Sequence, residues 1–210
     1  QAMAAMDREL HSGSPVAWAY LDRGILRQAA SRPLQALQDM RQFANRIPHS
    51  TDPALPFHRS KALFQLGRMQ AALQEACRAI RLDPKNGEAY AQRARIYLEL
   101  EAHEEAAQDF TTALAYQGGS GKLFHGRGLA HMALGRTDAA LSDLGQAVVL
   151  CPHNPVYQGN YKLVRSLLKR DVKIHAPAPE ARSKDNAVSQ ASRLSTSKLH
   201  TGDPCSSGVS

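Results

Sequence analysis

PALPFHRSKALFQLGRMQAALQEACRAIRLDPKN (Pro53–Asn86), GEAYAQRARIYLELEAHEEAAQDFTTALAYQGGS (Gly87–Ser120) and GKLFHGRGLAHMALGRTDAALSDLGQAVVLCPHN (Gly121–Asn154) follow one another without a gap. Each has 34 residues, and laid under one another they agree column by column. Column 20 is Ala72, Ala106 and Ala140; column 27 is Ala79, Ala113 and Ala147. Column 8 is small throughout (Ser60, Ala94, Gly128), and column 32 ends helices (Pro84, Gly118, Pro152). A fixed period of this length is the signature of a stacked repeat architecture.

Apolar residues inside a block recur at spacings of three and four. Tyr90, Ala94 and Tyr97 share one face of a helix over Glu88–Leu100, and Ala106, Phe110 and Ala113 share one face of a helix over His103–Ala115. Leu66-Gly67-Arg68 and Leu134-Gly135-Arg136 mark the turn between the helices, with glycine in the left-handed region. Asp83-Pro84 and Cys151-Pro152 stop the second helix. Asp52-Pro53 and Asn154-Pro155 read as an N-cap followed by proline in the first helical position. The small residues let two helix backbones approach closely.

A fourth, less regular block precedes these at Ala17–Ser50, with Gly24, Ala36, Phe43 and Pro48 in columns 8, 20, 27 and 32. Thr51 and Asp52 are extra loop residues. Met3–Leu10 reads as the last helix of a preceding repeat, within a segment 1–14 broken by His11–Pro15. Pro155–Arg170 is an amphipathic helix that closes the array: Val156, Tyr157, Tyr161, Val164, Leu167 and Leu168 are available for packing, and Arg165, Lys169 and Arg170 stay in water. Residues 171–210 are rich in serine and poor in large apolar groups, so disorder is expected there. Ser192 and Ser195 flank Arg193 in a pattern a kinase could use.

The chain has 210 residues, 43% of them apolar, and a formal charge of +7. About +6 of that falls on the body and is read as spread along its length. A solvated basic surface outweighs a nucleic-acid-binding one. Cys77, Cys151 and Cys205 lack paired spacing, which favours a reducing compartment: the cytoplasm, cytoskeletal association included. No apolar run is long enough for a membrane span. Nine histidines show no HExxH or other ligand spacing, and there is no P-loop, dinucleotide fingerprint or nucleophile elbow. Neither a metal nor a cofactor nor an enzyme activity is expected.

The block Gly121–Asn154 carries Phe124, Arg127-Gly128, Leu134-Gly135, Ala140-Leu141, Leu144, Ala147, Leu150 and Pro152. With the period and the small columns, this resembles the tetratricopeptide repeat across 17–154. Pro56 in place of an aromatic, Trp18 two residues before Tyr20, and the loose Gln117–Gly121 linker depart from the pattern. The resemblance implies an all-α, right-handed solenoid of repeats 17–50, 53–86, 87–120 and 121–154, a capping helix 155–170, and a concave groove that holds a peptide or partner protein.

Helical phase sets columns 2, 5, 9, 12 and 13 facing that groove. The expected lining includes Phe57, Lys61, Phe64 and Gln65, then Arg95 and Glu99, then Lys122, His125 and Met132, with Gln92 of column 6 added as a position where some members of the family contact a ligand. Such a surface suits a peptide with an apolar anchor and one or two acidic groups. Some members of the family hold a chaperone's C-terminal carboxylate in a clamp. The corresponding positions here are Phe57, Lys61, Gln92, Lys122 and Gly126, and only Lys122 matches in kind, so the clamp is read as absent. Column 7 is arginine in every block (Arg23, Arg59, Arg93, Arg127) and column 23 is acidic (Asp39, Glu75, Asp109, Asp143). These are read as structural ion pairs, either within a repeat or between neighbours. RNA association through the basic surface, and a purely structural segment of a longer repeat protein, stand as alternatives to the scaffold.

Overall fold

The computed structural model describes residues 17–175, with side chains to residue 168. The expected helix remnant in 1–14, Cys205, the Ser192–Ser195 site and residues 176–210 lie outside the described residues. The helices are α1 (Ala17–Ala29), α2 (Pro33–Arg46), α3 (Ala54–Gln65), α4 (Met69–Leu82), α5 (Gly87–Glu99), α6 (His103–Gln117), α7 (Gly121–Ala133), α8 (Thr137–Leu150) and α9 (Pro155–His175). No strand occurs among the described residues. From α1 to α8 each helix packs most on its sequence neighbours, and alternate first helices (α1, α3, α5, α7) also touch one another. The fold is an all-α helical-repeat solenoid.

The small columns sit where paired helices meet. Ala36, Ala72, Ala106 and Ala140 are fully buried, as are Phe43, Ala79, Ala113 and Ala147. A Cβ on Gly128 would stand 2.9 Å from Leu144 Cγ, and one on Gly24 3.1 Å from Met40 Cγ. Column 8 thus has room for nothing larger than the residues it holds; Ser60 fits by donating its hydroxyl to the Ala72 carbonyl at 2.8 Å. Phe43, the one large residue of column 27, packs with Leu21, Met40 and Leu55, and Trp18 leans on its ring at 5.0 Å.

Several boundaries differ from the expected ones. α6 continues two residues past Ala115, to Gln117, and Gly118 ends it with φ 78°. α9 extends past Arg170 to His175, so residues 171–175 are helical where disorder was expected. These residues prolong a helix already nucleated on the body, and extending a helix needs no second nucleus. Asp52 accepts from the Ala54 amide at 2.8 Å, but helical geometry already holds at Pro53. Asn154 accepts from the Val156 and Tyr157 amides and caps α9.

Column 15 is left-handed in all four helix pairs: Ser31 (φ 57°), Gly67 (71°), Glu101 (59°) and Gly135 (70°). The backbone there bonds back to the preceding helix, as Arg68 N–H to Leu63 O and Ala102 N–H to Tyr97 O show. The turn demands this conformation whatever residue occupies it, and a Cβ makes it costly.

The charged columns form a ladder with two directions. Arg93 grips Asp109 through Nε (2.7 Å) and Nη2 (2.8 Å), and Arg127 grips Asp143 in the same way (2.8 and 2.7 Å). Arg23 grips Asp39 at 3.0 and 2.7 Å, with Arg27 adding a third bond at 2.8 Å. The remaining Nη1 reaches back to column 25 of the preceding pair: Arg93 to Cys77 Sγ at 3.6 Å, Arg127 to Thr111 Oγ1 at 3.1 Å. Each such arginine also lies over the aromatic residue three positions earlier, Tyr20, Tyr90 or Phe124. The ladder therefore braces a repeat and ties it to its neighbour.

Arg59 is the weak rung. Pro56 gives it no ring, Arg41 in column 25 offers no side-chain acceptor, and Glu75 meets it once, at 3.2 Å, leaving Glu75 Oε2 buried and unpartnered. At the other end Tyr161 takes column 7 of α9 and passes 3.5 Å from where a Gly145 Cβ would stand. The ring thus packs on α8 at column 25, where a Cβ would be in ordinary contact with it.

Two outcomes follow for stability. Glu101→Gly removes left-handed strain at an exposed site and should raise the urea unfolding free energy by about 0.5–1 kcal/mol. Asp143→Ala strands a mostly buried guanidinium and should cost about 2–3 kcal/mol, whereas Glu75→Ala, at the weak rung, should cost less than about 1 kcal/mol in the same measurement.

Candidate functional site

The first helices of the pairs present their inward columns along one side of the solenoid, and a groove of about 700 Å³ opens there over α3, α5 and α7. It holds Phe57, Lys61, Phe64, Gln92, Arg95, Glu99, Lys122 and His125 of the expected set, along with Glu88, Ala91, Leu98 and Leu129 from the same columns. Gln65 and Met132 lie elsewhere. Gln65 donates to the Gln28 carbonyl at 3.3 Å. Met132 packs against the cluster of Ala140, Leu144 and Val164.

Two cations of the groove rest on rings. Lys61 Nζ lies 5.1 Å from the Phe57 centroid, and Arg95 Cζ lies 5.1 Å from the Phe64 centroid. The rings hold the cations at the rim without neutralising them. Lys122 is exposed on the opposite wall. Between them Gln92 is 96% buried and its Nε2 has no hydrogen-bond partner. A buried amide donor without an acceptor is costly unless a ligand supplies one. Glu88 and Glu99 border the same space, so the groove is amphoteric rather than uniformly basic.

The floor comes from residues that helical phase did not single out. Phe110, on α6, fills the space above Gly126, where a Cβ would stand 2.4 Å from Phe110 Cζ. Leu123 and Tyr157 complete the floor. A glycine in the interior of a helix was the available signal, since it costs helix stability unless something needs the room.

His125 turns towards α9. Its ring stacks on Tyr157 at 4.5 Å, and its Nε2 accepts from Asn160 Nδ2 at 2.8 Å. Burial pushes its pKa down, which favours the neutral, accepting form. The imidazole thus joins the last two first-helices. At the other end His58 lies edge-on to Phe57, with Nδ1 3.4 Å from Gln28 Oε1. Burial first, and then the Lys61 charge, hold its pKa down at about 4, against a smaller upward pull from Asp52.

Charge is not spread evenly along the body, contrary to the expectation from its total. Residues 17–86 carry eleven Lys and Arg against five Asp and Glu. Residues 87–154 carry five against eight, and α9 carries five against one. The sum hid an alternation, because the acidic surplus of α5–α8 cancels half of the N-terminal excess. Among the described residues no three His, Cys, Asp or Glu side chains gather as a metal site, and no helix is long and apolar enough to cross a membrane.

The sequence profile of the tetratricopeptide repeat matches residues 57–86 and 87–118. Together with the column structure and the helix pairs, this identifies tetratricopeptide repeats over residues 57–118. The TPR repeat-containing thioredoxin TDX of Arabidopsis thaliana is 32% identical over 88 residues, 41% of this chain and 23% of that protein. The chain spans less than a quarter of the length of the curated relatives it matches. Among solved structures, TTC0263 of Thermus thermophilus, described as a thermophilic TPR protein, superposes with a TM-score of 0.62 at 19% identity, over 79% of this chain and 89% of that one. The second TPR domain of human RPAP3, solved in complex with the HSP70 peptide SGPTIEEVD, superposes with a TM-score of 0.51 at 28% identity, over 54% of this chain and 98% of that one.

His58 gives the fold a pH dependence. Its folded pKa lies below the usual 6.5, so the unfolded chain binds its proton first on acidification. Stability from this group is complete above about pH 6.5 and is lost as pH falls towards 4. Urea unfolding at about pH 7 and about pH 4.5 should show a smaller drop for His58→Gln than for the parent chain; equal drops would remove His58 as a source.

Proposed function

We propose that the chain is a non-catalytic protein-interaction scaffold whose concave groove holds an acidic segment of a partner protein with an apolar anchor beside it. The observation that carries this reading is the buried, unpartnered Gln92 amide, flanked by Lys61, Arg95 and Lys122 above an apolar floor. A backbone carbonyl or carboxylate of a peptide would satisfy the amide, and acidic side chains would meet the three cations. Leu98, Leu129 and Phe110 would take the anchor.

Four repeats, 17–50, 53–86, 87–120 and 121–154, and a closing helix from Pro155 form the working unit. The family's interaction role supports this reading, and so does the acidic peptide held by the RPAP3 domain. The mode differs from a five-residue carboxylate clamp, for which only Lys122 qualifies; Gly126 leaves a floor where that clamp has a cation. Nucleic acid fits the groove poorly, because Glu88 and Glu99 would face its phosphates. Cysteines without paired spacing suit a cytoplasmic setting.

The test is affinity capture with the parent chain and with the Lys61→Glu/Arg95→Glu variant, followed by identification of the bound proteins. Both residues stand at the rim, so the variant should keep its helical circular dichroism and lose its partners at least tenfold. Recovery of the same partners in equal yield would sink the groove reading. Partner binding that survives about 0.3 M salt would favour the apolar anchor as the main source of affinity.

A further inference from the structure

The groove does not end at His125. α9 begins at the first column of a fifth block, so Val156, Leu163 and Leu167 stand in columns 2, 9 and 13, the columns that face inward on α3, α5 and α7. All three are exposed, at 57%, 49% and 39%. Their spacing of seven and four puts them on one strip of the helix. The joint between α7 and α9 is closed by the His125–Tyr157 stack and the His125–Asn160 bond, so the strip continues the concave wall across a fixed junction. Lys162 and Arg165 flank it and are exposed.

A further repeat helix does not account for this strip. In each complete pair the second helix closes on a small residue at column 8 and a cation at column 7. α9 has Lys162 at column 8 and Tyr161 at column 7, and Tyr161 is already turned onto Gly145. The side that a second helix would cover is therefore blocked to close packing, while the inward side stays apolar. A second copy of α9 would set Lys162 and Arg165 against their own counterparts, which disfavours a symmetric pair.

We infer that the partner's site has two parts: an acidic stretch over Lys61, Arg95 and Lys122, and, a few residues away in the same partner chain, an amphipathic segment whose apolar side lies on Val156, Leu163 and Leu167. This rests on the groove reading and extends it by naming the second half of the ligand. Packed helices lie about 8–10 Å apart, so the step from α7 to α9 needs about three extended residues. Acidic residues on the polar side of the segment would meet Lys162 and Arg165. Joining two weak contacts in one chain raises affinity through effective concentration.

Fluorescence anisotropy on the full chain tests this with two labelled peptides. The short one carries three glutamates and one leucine. The long one adds, across three glycine-serine residues, a segment with leucines four and seven positions apart and glutamates between them, made with the acidic part at either end. The better of the two orders should bind at least tenfold more tightly than the short peptide. Leu163→Asp/Leu167→Asp should abolish that gain and leave short-peptide affinity unchanged; both positions are exposed, and an unchanged melting temperature will show that the fold is kept. Lys61→Glu/Arg95→Glu should weaken both peptides.

If the short peptide binds and neither long order gains, or if the gain survives the double Asp variant, the inference fails while the groove reading stands. If neither peptide binds, both fail. Two other occupants of the strip would also overturn the inference. One is a second copy, seen as a dimer in sedimentation that Leu163→Asp dissociates. The other is the chain's own end, seen as tighter long-peptide binding when residues 176–210 are removed.

Discussion

Everything in this fold depends on how closely two helix backbones can approach within each pair. Column 8 of the first helix meets the second helix at a point where a Cβ on Gly128 would stand 2.9 Å from Leu144 Cγ. A small residue there, with a fully buried alanine in column 20 opposite, sets the spacing of the pair. The spacing in turn fixes where column 7 lies relative to column 23, and a fork of two hydrogen bonds closes across it in three of the four pairs. Where the acid is Glu75, one methylene longer, the fork becomes a single contact. The ladder is thus a consequence of the packing, and it carries the packing forward by reaching back to column 25 of the previous pair.

Termination uses the same geometry. Tyr161 and Lys162 replace the arginine and the small residue on α9, and the tyrosine ring lies on Gly145. This substitution leaves the inward strip of α9 uncovered, and that strip gives the concave side a different chemistry at its end than at its centre.

The centre combines cations, an unpartnered amide and an apolar floor. No single part is unusual on a helical surface; their meeting is what marks the site. Lys61 and Arg95 are held on Phe57 and Phe64, so they reach the groove with less freedom to lose on binding. Glu88 and Glu99 limit what can enter to ligands whose charge is placed in register.

The period of 34 residues and the small columns determine the repeats, the helix pairs and the ion-paired columns, because each is a local spacing that recurs. Helical phase also supplies most of the groove wall. It fails where a side chain crosses from one element to another. Phe110 reaches the floor from α6 through the gap left by Gly126, and His125, on the groove wall, turns its ring onto Tyr157 and Asn160 of α9. The left-handed turns at Ser31 and Glu101 are equally silent in the sequence, since the closing of the helix pair imposes them on residues that do not favour them. A repeating pattern in one chain reports what each residue meets in its own unit. What a residue meets in the next unit depends on the volume its neighbours leave empty, and only the tertiary structure decides that.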